Sequence, residues 1–359
     1  MNYEEIFFDD TKNSKKIKKE YYLVEGKYPI IDQGKENIAG YFNEETGIYK
    51  STNPVIIFGD HTRIIKYIDF PFFLGADGVK ILKVKNEKFL VKYLYYALLK
   101  FKIPNTGYNR HFKWLKNFKI EEIELEKQKK IVEILDKSNL IIKKKKEELK
   151  KLEKLKKSLF YEMFGDPIRN EKGWENISIN EITIFMSRGK TPKYVEKSKI
   201  GVINQACIYW ENIKFENIKY HENQKDVLLL KEQDILINST GTGTLGRVNI
   251  FKKNQEENIV YTIDTHVTLL RLKKEKVNSI YLTKFFGIPI IQKYILYKCV
   301  NGSTNQIELS KEKFNKFKVL IPPLELQNKF AEKVEKIDKL KFTEISSNKS
   351  CILLRKTVK

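Results

Sequence analysis

Cysteine is scarce in this chain of 359 residues, and nothing in its usage is paired. Cys207, Cys299 and Cys351 are odd in number and widely spaced, which fits neither a disulfide framework nor twinned metal-ligand knuckles. A reducing cytosol is the expected compartment. The opening MNYEEIFFDDTK lacks a basic start followed by an apolar stretch, so no signal peptide is expected. No run reaches the roughly 18 apolar residues of a membrane span, so no membrane partner is expected either. Histidine is also sparse: positions 61, 111, 221 and 266 are scattered and no pair has metal-ligand spacing, so no metal is expected. A nuclease would need clustered carboxylates with a lysine on neighbouring strands. Asp166 and Glu171-Lys172 sit instead in a loop after a helix. No catalytic residue is assigned, and no cofactor is expected on this chain.

What is present is apolar mass and positive charge. Apolar residues make up 41% and aromatics 12%, enough for two domains with cores of their own. Against 46 Asp and Glu stand 68 Lys and Arg, a net charge of +22 that favours a polyanionic partner, with nucleic acid first. A chain rich in Lys, Ile and Asn can drift to high charge without purpose, so pattern has to decide.

Residues 1–120 alternate short apolar runs (Tyr28–Ile31, Val55–Phe58, Val79–Leu82) with Gly, Asn and Asp turns, the pattern of a mixed α and β domain. Residues 121–165 then carry some forty positions free of Gly and Pro until Gly165 and Pro167, which predicts one long helix. A 4-3 spacing picks out Ile131, Leu135, Ser138, Ile142, Lys145, Leu149, Leu152, Lys156, Leu159 and Met163, mostly apolar, as in a coiled-coil seam. Strand-like segments return over 166–320. A second helix begins near Glu325 within 321–359, and Phe330, Val334 and Ile337 take its seam positions. Phe118-Lys119-Ile120 matches Phe317-Lys318-Val319, and Leu125, Glu126 and Gln128 match Leu324, Glu325 and Gln327, all at one offset of 199 residues. A shared offset across a strand-to-helix junction points to duplication. The expected fold class is α+β, a pseudo-twofold tandem of two mixed α/β domains separated by long helices that pair as an antiparallel coiled coil. Symmetry of that kind suits a reader of two half-sites.

Six segments offer contact chemistry, most with a plainer alternative. After a strand, Asp60, His61, Thr62 and Arg63 supply hydrogen bonders and a cation suited to base edges or phosphate; the alternative is a polar turn closed by Asp60. Gly107 to Trp114 interleaves aromatics with polar residues, of which Asn109, Arg110 and Lys113 are the contact candidates, while Phe112 and Trp114 suit the core. In the second domain Thr240-Gly241-Thr242-Gly243-Thr244-Leu245-Gly246-Arg247 contains a literal G-x-G-x-x-G. The dinucleotide fingerprint needs a helix next, whereas Val248 to Phe251 alternates like a strand. A tight loop approaching DNA is expected instead, with Thr240, Thr242, Thr244 and Arg247 at its surface; an ordinary hairpin turn is the alternative. Ser303, Asn305 and Gln306 precede the final strand as Asn109 and Arg110 do, and the amides of Asn305 and Gln306 suit adenine; a capped turn is the alternative. Arg188 and Lys190 echo the tail of a phosphate loop, but Ile184 stands where its glycine belongs, so they are retained only as cationic DNA contacts. Lys143 to Lys157 holds nine lysines against three glutamates, a solvated helix face by default and a DNA-facing one as the sharper alternative.

Lys157-Ser158-Leu159-Phe160-Tyr161-Glu162-Met163-Phe164-Gly165-Asp166-Pro167, followed by Lys172-Gly173-Trp174-Glu175, resembles the junction between the first conserved region and the second recognition domain in specificity subunits of type I restriction-modification enzymes. Ile321-Pro322-Pro323-Leu324-Glu325-Leu326-Gln327 resembles the start of their second conserved region. Tyr28 to Gly34, Ile56 to Arg63 and Gly75 to Lys80 are similar to the first domain. The resemblance implies that each domain reads half of a split double-stranded DNA target and that the helices set the gap. It further implies two modification subunits, which bind S-adenosylmethionine and methylate adenine N6, and separate motor and nuclease subunits, which use ATP and Mg. The alternatives are a coiled-coil scaffold or an orphan DNA-binding protein without a nuclease. A free-standing methyltransferase would need an Asn/Asp-Pro-Pro-aromatic motif, and Asn53-Pro54-Val55 fails it. One departure concerns the second helix: its apolar register decays after Leu340, which predicts a helix pair shortened at that end, by truncation, frameshift or completion by another chain.

Overall fold

The computed structural model describes residues 1–75, 78–223, 227–253, 258–302 and 307–357, with side chains as far as 341. It divides into two compact units, residues 1–144 with 348–359, and residues 145–347.

The first unit opens on a one-turn helix, α1 (Tyr3–Ile6), whose capping residue Asn2 and third residue Glu5 each accept the other's backbone N–H, a reciprocal cap that satisfies two orphan donors. Then come β1 (Phe7–Asp9), β2 (Tyr28–Ile31), β3 (Gly40–Phe42), β4 (Val55–Gly59), β5 (Ile65–Ile68), β6 (Phe73–Leu74) and β7 (Val79–Val84). The three apolar runs noted in the sequence are β2, β4 and the start of β7. Every residue of β4 is buried because its two faces enter different cores. Ile56 and Phe58 pack with Leu82, Leu94 and Leu98, whereas Val55 and Ile57 pack with Ile31, Leu74 and Ile81. That double cover makes β4 a continuous apolar run rather than an alternating one. The strands form an antiparallel sheet in the order β1-β7-β4-β5 and a smaller sheet β3-β2-β6 in which β2 and β6 are parallel. Two helices, α2 (Val91–Lys100) and α3 (Phe112–Leu115), precede the 40-residue α4 (Leu125–Phe164), whose first half belongs to this unit.

The second unit repeats this plan. It holds β8 (Glu175–Ser178), α5 (Ile179–Ile182), β9 (Thr183–Arg188), β10 (Tyr194–Val195), β11 (Ile200–Ile203), β12 (Lys219–His221), β13 (Ile235–Asn238), β14 (Val248–Ile250), β15 (Val260–Ile263) and β16 (Val267–Leu272). After these come α6 (Ser279–Phe286), α7 (Pro289–Lys298), β17 (Val300–Asn301), β18 (Glu308–Leu309), α8 (Lys311–Asn315), β19 (Lys318–Ile321) and α9 (Leu324–Thr357). Its larger sheet, β9-β16-β13-β14, matches β1-β7-β4-β5 strand for strand, and β12-β11-β15, with β11 and β15 parallel, matches β3-β2-β6. Glu181 folds back onto the N–H of Ser178 at 3.1 Å as Glu5 does onto Asn2.

The repeat is closest where each long helix starts. Gln128 and Gln327, 199 positions apart, are both fully buried. The Gln128 Oε1 accepts the N–H of Leu90, and its Nε2 donates to the carbonyls of Lys88 and Ile123. Gln327 makes the same three bonds, from Asn278 N–H and to Lys276 and Pro322. One amide thus closes three main-chain groups that burial would otherwise leave unpaired.

In the second unit, Phe164 and Phe160 contact Phe330 at 5.1 and 5.7 Å between ring centroids, Lys156 Nζ lies 2.8 Å from Asp338, and Lys341 Nζ lies 2.6 Å from Glu153. The contacts climb α9 as they descend α4. Of the seam positions, Leu159, Phe330, Val334 and Ile337 are buried in one core with Tyr281 and Phe285, with Leu152 half-buried beside it, and Leu149 is partly exposed. In the first unit Leu135 is buried and Ile131 and Ile142 are half-exposed. The seam residues beyond Lys341, on which the expected decay of register rests, lie outside the described side chains.

Lys156 breaks the apolar seam and is 6% exposed, yet it is held by both Asp338 and Glu153. Burial pulls its ammonium pKa down, but the hydrogen bonds to Asp338 and Glu153 outweigh that and leave it raised. Among the described residues no helix is long and apolar enough to cross a membrane, and no cluster of three His, Cys, Asp or Glu could hold a metal. Cys207 and Cys299 are buried, and burial pushes each thiol up to about 11.

Candidate nucleic-acid interface

The loop between β4 and β5 is a tight hairpin. Arg63 N–H returns to the Gly59 carbonyl at 2.7 Å and Gly59 N–H reaches Ile64 at 2.8 Å. Arg63 sits at φ 61°, in the left-handed region, where a side chain costs about 1–2 kcal/mol. Its guanidinium donates to the Ile103 carbonyl at 3.2 Å. Thr62 Oγ1 donates to the Gln33 carbonyl and His61 N–H to Gln33 Oε1, at 2.7 and 3.1 Å. Asp60 is buried at 4% exposure: its carboxylate accepts the N–H of Phe112 at 2.7 Å, and its carbonyl takes both the N–H and Nδ1 of buried His111. The Asp60 carboxylate therefore faces inward and fixes the start of α3 rather than bonding the backbone of its own turn. Two segments separated by nearly fifty residues are thereby joined. The His61 ring lies flat on Tyr108, 4.8 Å between centroids and 10° between planes, and Tyr108 is 87% exposed. Around this stack Thr62, Asn109, Arg110 and Lys113 are exposed, with Arg63 half-exposed. Phe112 and Trp114 are half-buried, Phe112 against the core.

The second unit uses equivalent parts. Its hairpin loop, between β13 and β14, holds Ser239 N–H on the His266 carbonyl at 2.8 Å, as Asp60 N–H is held on Gly78 at 2.7 Å. The Ser239 carbonyl accepts Leu309 N–H at 2.8 Å, just as Asp60 accepts from His111. Gln205 stands where Gln33 does: its carbonyl accepts Asn238 Nδ2 at 3.1 Å and its Oε1 accepts Thr240 Oγ1 at 3.4 Å. Thr240 also meets His266 Nδ1 at 2.8 Å, and Thr244 Oγ1 closes the loop on the Thr240 carbonyl at 2.9 Å. The strand β14 follows Gly246, so the G-x-G-x-x-G run is a hairpin turn and lacks the helix of a dinucleotide site. Gly246 has φ +84°, a left-handed backbone position that favours glycine. Thr242 is exposed at the tip. Arg247 Cζ lies 5.2 Å from the Tyr209 ring centre, and Lys214 Nζ lies 4.2 Å from the same ring.

Arg188 is turned to a different task from the one expected. Its guanidinium bonds Glu308 and the Leu309 carbonyl, the latter at 2.7 Å, tying β9 to β18, while Lys190 remains exposed. Ser303, Asn305 and Gln306 lie outside the described residues. Asp264, just before His266, has its carboxyl pKa raised by burial, against the pull of the His266 N–H. Gln33, Gln205, Tyr209 and His266 were not singled out in the sequence. A signal for the glutamines was available: Ile30-Ile31-Asp32-Gln33 and Val202-Ile203-Asn204-Gln205 share an apolar pair, an Asx and a Gln.

Fold and site together define a duplicated two-unit protein in which each unit displays one polar, cationic surface assembled from four loop segments. The chain belongs to the family of the type I restriction modification DNA specificity domain, whose model matches residues 4–154 and 171–350. Similar proteins include the type I restriction enzyme EcoR124I/EcoR124II specificity subunit of Escherichia coli, 26% identical over 349 residues, covering 89% of this chain and 83% of that one. The MjaVIII specificity subunit of Methanocaldococcus jannaschii is 27% identical over 354 residues, covering 88% and 80%. A crystal structure of the type I restriction-modification S subunit from M. genitalium has the same fold, with a TM-score of 0.61 over 99% of this chain and 93% of that one at 18% identity. A structure from work on complex assembly and conformational transition of the type I system matches at TM-score 0.53 and 14% identity, over 99% and 94%.

Proposed function

We propose that this chain is the DNA sequence-recognition subunit of a type I restriction-modification complex, with residues 1–120 and 166–320 each reading one half of a bipartite target. Segments 121–165 and 321–359 then pair as an antiparallel coiled coil, set the spacing and dock two modification subunits. The observation that carries this reading is the duplication of the loop-built surface: Gln33, the β4–β5 hairpin and the segment before α3 recur as Gln205, the β13–β14 hairpin and the segment before α8. Opposed contacts of Phe160 with Phe330, Lys156 with Asp338 and Glu153 with Lys341 support the helix pairing.

Exposed Thr62, Asn109, Arg110, Lys113, Lys190 and Thr242 take phosphate and base edges, with His61, Arg63, Thr240, Thr244 and Arg247 at the loop shoulders. Asp60 and Arg188 hold the loops in place. The chain is not catalytic by itself and works in the cytoplasm. S-adenosylmethionine sits on the modification subunits, and ATP and Mg on restriction subunits where these are present. Adenine methylation is mapped in a host with and without this chain: loss of one split motif is expected, and an unchanged methylation map overturns the reading in favour of a scaffold or an orphan DNA-binding protein.

A further inference from the structure

Within the second unit, α4 carries lysines of two kinds. Lys156 is buried and paired with Asp338 and Glu153. Lys146, Lys150, Lys154 and Lys157 are exposed, and among the described residues none makes a hydrogen bond or ion pair. At 3.6 residues per turn these four fall within a sector of roughly 80°, along about 17 Å of helix. Leu152, Leu159 and Phe160, which pack into the core, lie on another face. Two acids flank the stripe at equal angles: Glu153 is taken by Lys156 and Lys341, and Glu147, exposed and without an ion pair among the described residues, is one carboxylate against four ammonium groups, so the stripe keeps a net positive charge.

Lysine is depleted in protein–protein interface cores, whereas lysines on flexible stems are regular partners of nucleic-acid backbones. Steps of three or four residues advance about 5–6 Å, within reach of separate phosphates along one strand.

We propose that Lys146, Lys150, Lys154 and Lys157 form a phosphate-binding stripe that holds the duplex between the two half-sites without reading its sequence. This rests on the DNA-recognition reading above. The test measures binding of the full chain, with its modification subunits, to a 50-base-pair duplex across a salt series. The variant K146Q/K150Q/K154Q/K157Q should lower the slope of log affinity against log salt by about 3 to 4, since each lost phosphate contact removes about 0.9. Affinity should drop by a similar factor on target and random duplexes, leaving the sequence preference intact. Lysine-to-arginine changes at the same four positions should keep the slope, which separates lost charge from lost folding. A control, K127Q/K129Q/K130Q/K137Q, removes equal charge from the same helix and should leave the slope within about 1 unit of wild type. An unchanged slope in the stripe variant, or an equal fall in the control, overturns the proposal. Loss of complex assembly with unchanged DNA binding also overturns it, by making the stripe a protein contact. If the unaltered complex binds no DNA, the recognition reading itself fails.

Discussion

Gln128 and Gln327 make the same three hydrogen bonds in the two units, whereas the hairpin loops a few strands away share their anchors and little else. The first loop is a tight turn held at Arg63. The second is four residues longer, lined with Thr and Gly, and ends on an arginine beside a tyrosine ring. Duplication has kept the groups whose loss would orphan buried main chain and has let the solvent-facing tips diverge. Divergent tips on a common frame are what two different half-sites require.

The largest effect should come from the shared frame. Gln128→Ala and Gln327→Ala each leave one N–H and two carbonyls, mostly half-buried, without their partner, and each should cost about 1–3 kcal/mol. Urea denaturation of the two variants would show similar losses; a near-neutral value for one of them would break the equivalence of the units.

Next comes a place where the units differ. In the first unit Tyr96 of α2 bonds Asp136 of α4, with Lys92 on the same carboxylate at 2.7 Å. The second instead buries Lys156 between two acids. Lys156→Ala should cost about 1–3 kcal/mol, less than for a fully buried pair because Asp338 and Glu153 keep contact with water. Burial works to raise the Glu153 carboxyl, but the hydrogen bonds from Lys156 and Lys341 outweigh it and hold it below the usual value. A depressed carboxylate stabilises the fold above its unfolded pKa, and that stability is lost as pH falls through the folded value. The gap between wild type and Lys156→Ala should therefore narrow below about pH 4, read from denaturation curves between pH 3 and 7. A gap independent of pH would sharpen the comparison by assigning the effect to packing.

At the loop tips the expected changes are in binding. Arg247→Ala should weaken target binding about 10–100-fold and relax preference in one half of the motif. Arg63→Gly removes a cation and also relieves the left-handed backbone, so folding stability should move by no more than about 1 kcal/mol while preference in the other half is lost. Competition with half-altered duplexes measures both.

Much of the frame was legible because it is local. The β2, β4 and β7 runs, the forty-residue helix and the 199-residue offset all follow from periodicity and spacing along the chain. The parallel pairs β2–β6 and β11–β15 join strands separated by long intervening segments, and no local pattern encodes them. Within the candidate site, residue type pointed to loops that the fold brings together, but not to the orientation of their side chains. Asp60 and Arg188 have the chemistry of DNA contacts and are turned to protein partners. Gln33 and Gln205 share a local pattern, whereas His266 has none and meets Thr240 only through the pairing of β13 with β16.

Whether two equivalent surfaces read two independent half-sites is settled by selecting bound duplexes from a random pool with the complex carrying either H61A/R63A/R110A or T240A/T242A/R247A. Each variant should lose information at one half of the split motif, a different half for each, with the spacing unchanged. Loss at the same half for both variants, or an unaltered motif in both, would contradict independent reading by the two surfaces.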